Sequence, residues 1–202
     1  DPEAARRTIV ELVTSRIPAK FGMDPFRDVQ VLTPMHRGAA GTRALNEALQ
    51  LALNPEGAAI VRGGLSIRKG DKVMQLRNDY DRGVYNGDVG IVTHVDPEEG
   101  SLRVGYELRE VPYDAGNLDE LTLAYAQSVH KAQGSEYPAV VIPLLTSHFV
   151  MLSRNLLYTA VTRGKRLVVL VSDPRAVALA LARDRRDERR SRLADRIGRE
   201  LS

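Results

Sequence analysis

The feature that most restricts this chain is a change of hydrophobic period in its middle. From about Gly63 to Leu118 the sequence runs as short β-branched or alternating stretches, DKVMQLRN, DVGIVTHVD, SLRVGYE and REVPYD, separated by DRGVYNGD, DPEEG and AGN. Alternation of apolar and polar residues marks half-buried strands. Asn86-Gly87 and Pro97-Glu98-Glu99-Gly100 supply residues that tolerate the backbone of tight turns. Roughly five short strands in about 55 residues predict a small antiparallel barrel.

On either side the rhythm is that of helices and buried strands. PEAARRTIVELVTSRIP carries Ala5, Ile9, Leu12 and Val13 at near-helical spacing and predicts a helix that stops at Pro18. Val29, Val31 and Leu32 predict a short strand ending at Pro34, and GTRALNEALQLALNP a helix up to Asn54-Pro55. After Leu118, LTLAYA reads as a strand and SVHKAQG as a short helix closed by Gly134. PAVVIPL and RLVVLVS read as buried strands, and SRNLLYTAVTRG and DPRAVALALAR as helices, the last capped by Asp173 with Pro174 in its first turn. Continuous apolar strands alternating with helices belong to a parallel sheet covered on both faces. The expected organisation is an α/β parallel-sheet domain from residues 1–62 and 119–182, an antiparallel barrel inserted at 63–118, and an Arg-rich tail at 183–202.

Composition narrows the chemistry. With 43% hydrophobic residues among 202, the chain can bury a substantial core. It contains no cysteine, which removes disulfides, thiolate nucleophiles and sulfur-rich zinc sites and suits a reducing cytoplasm. No run of 18 apolar residues occurs, so no membrane span is expected. The start, DPEAARR, lacks a methionine, and the chain reads as a soluble piece of something longer. Basic residues number 29 and acidic ones 26, but residues 183–200 hold eight Arg against five acids, which leaves 21 against 21 elsewhere. A uniformly basic surface is thus absent. The interleaved charges of the tail read as a solvated helix or a frayed end, and carry no case for nucleic-acid binding.

Candidate chemistry lies in three places. In an open α/β sheet ligands gather beyond the carboxyl ends of the strands, where Ser128, His130 and Lys131 should stand after LTLAYA. A hydroxyl, an imidazole and an ammonium can together hold phosphate oxygens or one strand of nucleic acid, although singly each is an ordinary surface group. His130 has no second His or carboxylate at ligand spacing, so no metal site is expected. In SRNLLYTAVTRGKR, Arg154, Arg163, Lys165 and Arg166 bracket an apolar stretch and place Arg163 near a helix end. A cation there is favourable against the helix dipole alone. The functional alternative is an arginine finger on a γ-phosphate, worth about 10³–10⁵ in rate. The barrel adds Lys72, Arg77, Asn78 and Tyr80, cations beside an aromatic face. Asn86, Gly87 and Asp88 read as its turn. A phosphate cradle is missing: GAAGTR at 38–43 lacks the Lys-Ser/Thr ending of a P-loop, and no strand ends in paired acids for Mg²⁺. These residues can make at most half of a nucleotide site.

Four stretches, QVLTPMHRGAAGTRALNEALQ, GDKVMQLRNDYDRGVYNGDVGIV, AYAQSVHKAQGSEYPAVVI and NLLYTAVTRGKRLVVLV, resemble in order and spacing the motif IV region, SH3-like barrel, motif V and motif VI of RecD-like DNA helicases of superfamily 1B. The likeness runs from about residue 28 to 172. It implies the second RecA-like motor domain, lacking the P-loop, with an inserted SH3-like barrel. It also implies ATP and Mg²⁺ in the full-length enzyme, the metal held by a first motor domain outside these 202 residues, single-stranded DNA as partner, and usually 5′ to 3′ movement. The VTRG pattern puts Arg163 on the γ-phosphate and motif V puts Gly134 and Glu136 near the nucleotide, Glu136 on the ribose. Ser128, His130 and Lys131 then face the DNA backbone. For the basic residue of motif IV both Arg37 and Arg43 are candidates, with Arg37 favoured. The fragment alone should need no cofactor and hydrolyse no ATP. Rival readings are a nucleic-acid-binding module that never meets ATP, a protein-interaction barrel on an inert α/β scaffold, and the helicase part of a conjugative relaxase. The leading reading requires Arg163 to face the loop bearing His130 rather than apolar packing.

Overall fold

The computed structural model describes residues 1–183, so the expected Arg-rich tail lies outside the described residues from 184 onward. Helix α1 (Pro2–Glu11) starts at Asp1, whose carboxylate accepts the Glu3 N–H at 2.9 Å. It runs through a π-helical turn (Leu12–Arg16) into α2 (Ile17–Phe21), which Gly22 ends at φ 65°. The helix therefore passes Pro18, where its end was expected. A proline lacks the ladder N–H and crowds the carbonyl four residues before it, and the wider turn just upstream absorbs that misfit.

Strand β1 (Val29–Thr33) leads to α3 (Thr42–Leu53), and a hairpin follows, β2 (Ala59–Arg62) with β3 (Leu65–Arg68). Strands β4 (Lys72–Gln75), β5 (Val89–Asp96), β6 (Ser101–Gly105), β7 (Glu110–Tyr113) and β8 (Leu121–Leu123) form one antiparallel sheet in the order β7-β6-β5-β4-β8. The chain then returns through β9 (Ala126–Ser128), β10 (Tyr137–Leu144), α4 (Arg154–Val161), β11 (Gly164–Ser172) and α5 (Pro174–Ala182). Strands β11, β10, β1 and β9, in that order, make a parallel sheet. Ser153 and Asp173 cap α4 and α5 by accepting the Leu156 and Ala176 N–H groups at 3.2 and 2.8 Å.

Three expectations need correction. LTLAYA is two strands: Leu121–Leu123 pairs with β4 in the antiparallel sheet, and the chain changes sheets at Ala124 and Tyr125 before Ala126–Ser128 joins β1. Both sheets bury these residues, so hydrophobicity shows no break. The expected limits of the insertion fall inside the β2–β3 hairpin, whose tip is Gly63 and Gly64 at φ 57° and 80°, and short of β8. SVHKAQG is a run of turns rather than a helix. Ser128 pairs with Thr33 at the carboxyl edge of the parallel sheet, whereas Tyr137 pairs with Gly164 at its amino edge. The connection must travel on the order of 20 Å along the strands, and an eight-residue helix would rise only about 12 Å.

The sheet faces follow the period of two. Val29 and Val31 pack with Ile9, Val13, Leu45 and Leu49, and the same core cluster continues into the barrel through Val73, Val104 and Leu121. Leu32, Val140 and Ile142 face Val129, Ala132, Leu156 and Ala160 on the other side. Polar groups close the root of the insertion. Asp71 is fully buried and accepts from Gln50 Nε2 (2.5 Å), Asn54 Nδ2 (2.7 Å), the Arg68 N–H (2.7 Å) and Tyr125 Oη (2.9 Å). Gln30 Nε2 donates to the carbonyls of Ala124 and Tyr125 at 3.0 and 3.1 Å, where the chain changes sheets.

Candidate functional site

The loops after β1, β9 and β10 share the carboxyl edge of the parallel sheet. After β1, residues 34–41 fold back on themselves: Thr33 Oγ1 donates to the Ala40 carbonyl at 2.8 Å and the Gly41 N–H to the Gly38 carbonyl at 3.0 Å. A Cβ at Gly41 would lie 2.5 Å from the Arg37 carbonyl oxygen, so this glycine serves the turn itself. The turn leaves Arg37 exposed, and among the described residues its guanidinium has no partner. Arg43 instead lies on α3, 81% exposed, paired with Glu47 at 3.0 Å.

On the next loop, Ser128 is buried and its hydroxyl accepts the Lys131 N–H at 3.3 Å. This bond shapes the turn that presents His130 and Lys131. His130 and Lys131 are exposed, and among the described residues their side chains have no hydrogen-bond or ion-pair partner. A cleft of about 380 Å³ opens beside them, lined by His130, Gln133, Met151, Asn155 and Thr159, between this loop and α4.

Residues 129–136 then cross the sheet, pinned by buried Val129 and Ala132, and turn at Gly134 (φ 90°). At the amino edge they meet the end of α4. Arg163 donates from Nε to the Thr159 carbonyl (3.2 Å), from Nη1 to the Ser135 carbonyl (3.1 Å) and from Nη2 to Thr162 Oγ1 (3.2 Å). Every acceptor is a neutral oxygen, so among the described residues no carboxylate pairs with the half-buried guanidinium. The guanidinium meets the far end of the 129–136 segment, at Ser135, and stands at the opposite sheet edge from His130. Glu136 is exposed and paired with Lys165 Nζ at 3.0 Å. Tyr137 follows, its N–H on the Arg163 carbonyl at 2.8 Å, and burial raises its pKa. The nucleotide candidates Gly134, Glu136 and Arg163 therefore stand together at one edge, while His130, Lys131 and Arg37 stand at the other.

The barrel candidates divide. Lys72 is 3% exposed, its ammonium donating to the Val29 carbonyl at 3.2 Å and lying 6.0 Å from the Tyr137 ring. It faces the motor sheet and cannot contact a strand, which corrects its assignment; all of β4 is buried, so no position along it reaches solvent. Arg77, Asn78 and Tyr80 are exposed on the β4–β5 loop. Arg77 lies 3.7 Å from Asp119, and Asn78 Nδ2 donates to Tyr80 Oη at 3.4 Å. Arg82 ties this loop down by bonds of 2.6 Å to both Asp79 and Glu120. Sequence reading missed Tyr85, 46% exposed, whose ring meets Tyr80 edge to face at 5.9 Å. Its place in DRGVYNGD, beside turn residues, was the available signal.

The fold compares with that of the Pif1 helicase from Bacteroides, solved in complex with ADP-AlF3 and ssDNA, at a TM-score of 0.55 and 22% identity over 83% of this chain and 44% of that one. Parallel sheet and inserted antiparallel sheet together define a RecA-like motor domain carrying an SH3-like barrel. Residues 45–106 match the SH3 domain of ATP-dependent RecD-like DNA helicases, and residues 123–171 the UvrD-like helicase C-terminal domain. The chain is 41% identical to the ATP-dependent RecD2 DNA helicase of Deinococcus radiodurans over 84% of its own length and 23% of that protein. It is 37% identical to the RecBCD enzyme subunit RecD of Mycobacterium tuberculosis over 56% of its own length and 20% of that protein. The chain belongs to the RecD-like DNA helicase family, as its C-terminal portion, and spans about a quarter or less of the length of these relatives. Among the described residues, no helix is long and apolar enough to cross a membrane.

Proposed function

We propose that this chain is the second motor domain and barrel of an ATP-dependent DNA helicase of the cytoplasm, moving 5′ to 3′ on single-stranded DNA. It supplies one wall of the ATP site and part of the strand grip. The observation that carries the reading is Arg163: a guanidinium held by three neutral acceptors, with no carboxylate partner among the described residues, and bonded at Ser135 to the segment whose other end bears His130 and Lys131. Those donors fit an anionic phosphate, and Gly134 and Glu136 stand beside it for the rest of a nucleotide. In this reading the Mg²⁺ is held by the first motor domain.

Closure of the two motor domains brings Arg163 onto the terminal phosphoryl, where its charge stabilises the transition state. The second cation is Arg37 or Arg43: Arg37 is exposed but stands with His130 and Lys131 at the edge opposite Arg163, and Arg43 is paired with Glu47. His130 and Lys131 hold phosphates of the strand, and Arg77, Asn78, Tyr80 and Tyr85 give the barrel a second contact. The crossing segment links grip and finger, so a shift at one end is felt at the other. Without the first motor domain the chain hydrolyses no ATP. In the full-length protein, Arg163→Ala lowers DNA-stimulated ATPase by about 10³-fold or more while oligonucleotide affinity changes little. Unchanged turnover would remove the finger, and strand binding with no ATPase in the full-length wild type would leave an ATP-independent clamp.

A further inference from the structure

The carboxyl edge of the parallel sheet carries an apolar feature that the phosphate contacts do not use. Phe149 and Val150, on the loop between β10 and α4, are 53% and 51% exposed. Hydrogen bonds tie the loop at its base. His148 is buried, its Nδ1 accepting the Leu145 N–H at 3.4 Å, and burial lowers its pKa. The Phe149 N–H donates to the Thr146 carbonyl at 3.0 Å, the Met151 N–H to the His148 carbonyl at 2.8 Å, and the Phe149 carbonyl accepts from Arg183 Nη1. Above this tied backbone, the two side chains are each about half exposed among the described residues. An aromatic ring and a branched aliphatic group half exposed on such a loop call for a partner.

Their neighbours state its chemistry. Met151, two residues on, lines the same cleft as His130. Leu145, at the start of the loop, packs with Ala40 of the loop that presents Arg37. Through these contacts the tip shares the carboxyl edge of the sheet with Arg37, His130 and Lys131, whose side chains have no partner among the described residues. Cations that hold phosphates, next to an exposed aromatic ring, form the combination that binds single strands without sequence preference: charge follows the backbone and the ring takes a base face.

We infer that the Phe149–Val150 tip is a stacking platform for an unpaired base of the single strand whose phosphates lie on His130 and Lys131. The inference rests on the strand-binding reading proposed above and adds a base contact to it. It assigns the strand a path from the His130 loop across the cleft to the β10–α4 loop. Phe149 makes the face-to-face contact and Val150 covers the edge of the base.

The test compares a thymidine oligonucleotide with an abasic one of equal length, which keeps the phosphates and lacks the faces to be stacked. Wild-type protein binds the thymidine strand more tightly, and Phe149→Ala weakens that binding about 5- to 100-fold while leaving abasic affinity unchanged. Lys131→Ala weakens both strands alike and lowers the salt slope. Phe149→Trp retains the preference; since the 202 residues contain no tryptophan, it also adds a reporter whose fluorescence is quenched by the thymidine strand only. If wild type binds neither strand, the strand reading itself falls. If wild type binds thymidine and abasic strands equally, or Phe149→Ala keeps the preference, the platform is refuted and phosphate binding stands. A Phe149→Ala variant that keeps the preference but loses ATPase in the full-length protein would place the tip against another domain, which equally overturns the platform.

Discussion

Lys72 gives a prediction whose size follows from its surroundings. The ammonium sits between the barrel and the motor sheet, 3% exposed, with one hydrogen bond to the Val29 carbonyl. Burial pushes its pKa down to about 8 from the ordinary 10.5, a fall that the charges of Asp24 and Asp28 oppose without reversing. A lysine whose folded pKa lies below its unfolded value binds a proton on unfolding anywhere between the two. The folded state therefore carries the full penalty below about pH 8 and sheds it as pH rises towards 10.5. The gap of roughly 2.5 units corresponds to about 3 kcal/mol. Lys72→Met keeps the length of the side chain and removes the titration. Urea unfolding of both proteins from about pH 7 to pH 11 measures the difference, in which every other titrating group cancels. Wild type should gain about 3 kcal/mol relative to Lys72→Met across that range. A difference that stays flat with pH would show that Lys72 is not titrating from a desolvated site.

Two further substitutions probe the root of the barrel and the choice between basic residues. Asp71→Ala leaves four donors without their acceptor and should destabilise by about 3 kcal/mol or more in urea unfolding; a loss under about 1 kcal/mol would show that water replaces the carboxylate. Arg43→Ala should shift stability by no more than about 0.5 kcal/mol. In the full-length protein it should also leave ATPase untouched where Arg37→Ala reduces it, and the reverse pattern would transfer the motif IV role to Arg43.

The elements were legible where one pattern had one meaning. Val29, Val31 and Leu32 between polar neighbours, the helix ending at Asn54-Pro55, and the cap Asp173 all stand where spacing and capping chemistry put them. Reading failed where two environments impose the same pattern. Leu121, Leu123 and Ala126 are buried in either sheet, so the change of sheets between them leaves no mark in hydrophobicity. Lys72 looked like a surface cation because charge alone does not say which way a strand residue points. Its signal lay in the run Val73, Met74 and Gln75, a continuously buried stretch with no free face. In the candidate site, Ser128 and His130 stand two residues apart and differ in exposure, one buried and bonded within the turn, the other turned outward.

The cluster at Asp71 bears on how the barrel can respond to load. An inserted domain hangs on two necks of chain, and independent necks would let it swing like a pendant. Here α3, the hairpin and the returning chain at Tyr125 all close on one carboxylate. Torque applied at the barrel rim must be transmitted to the motor sheet before it can tilt the insertion, so the barrel behaves as a keyed lever and not as a loose bead.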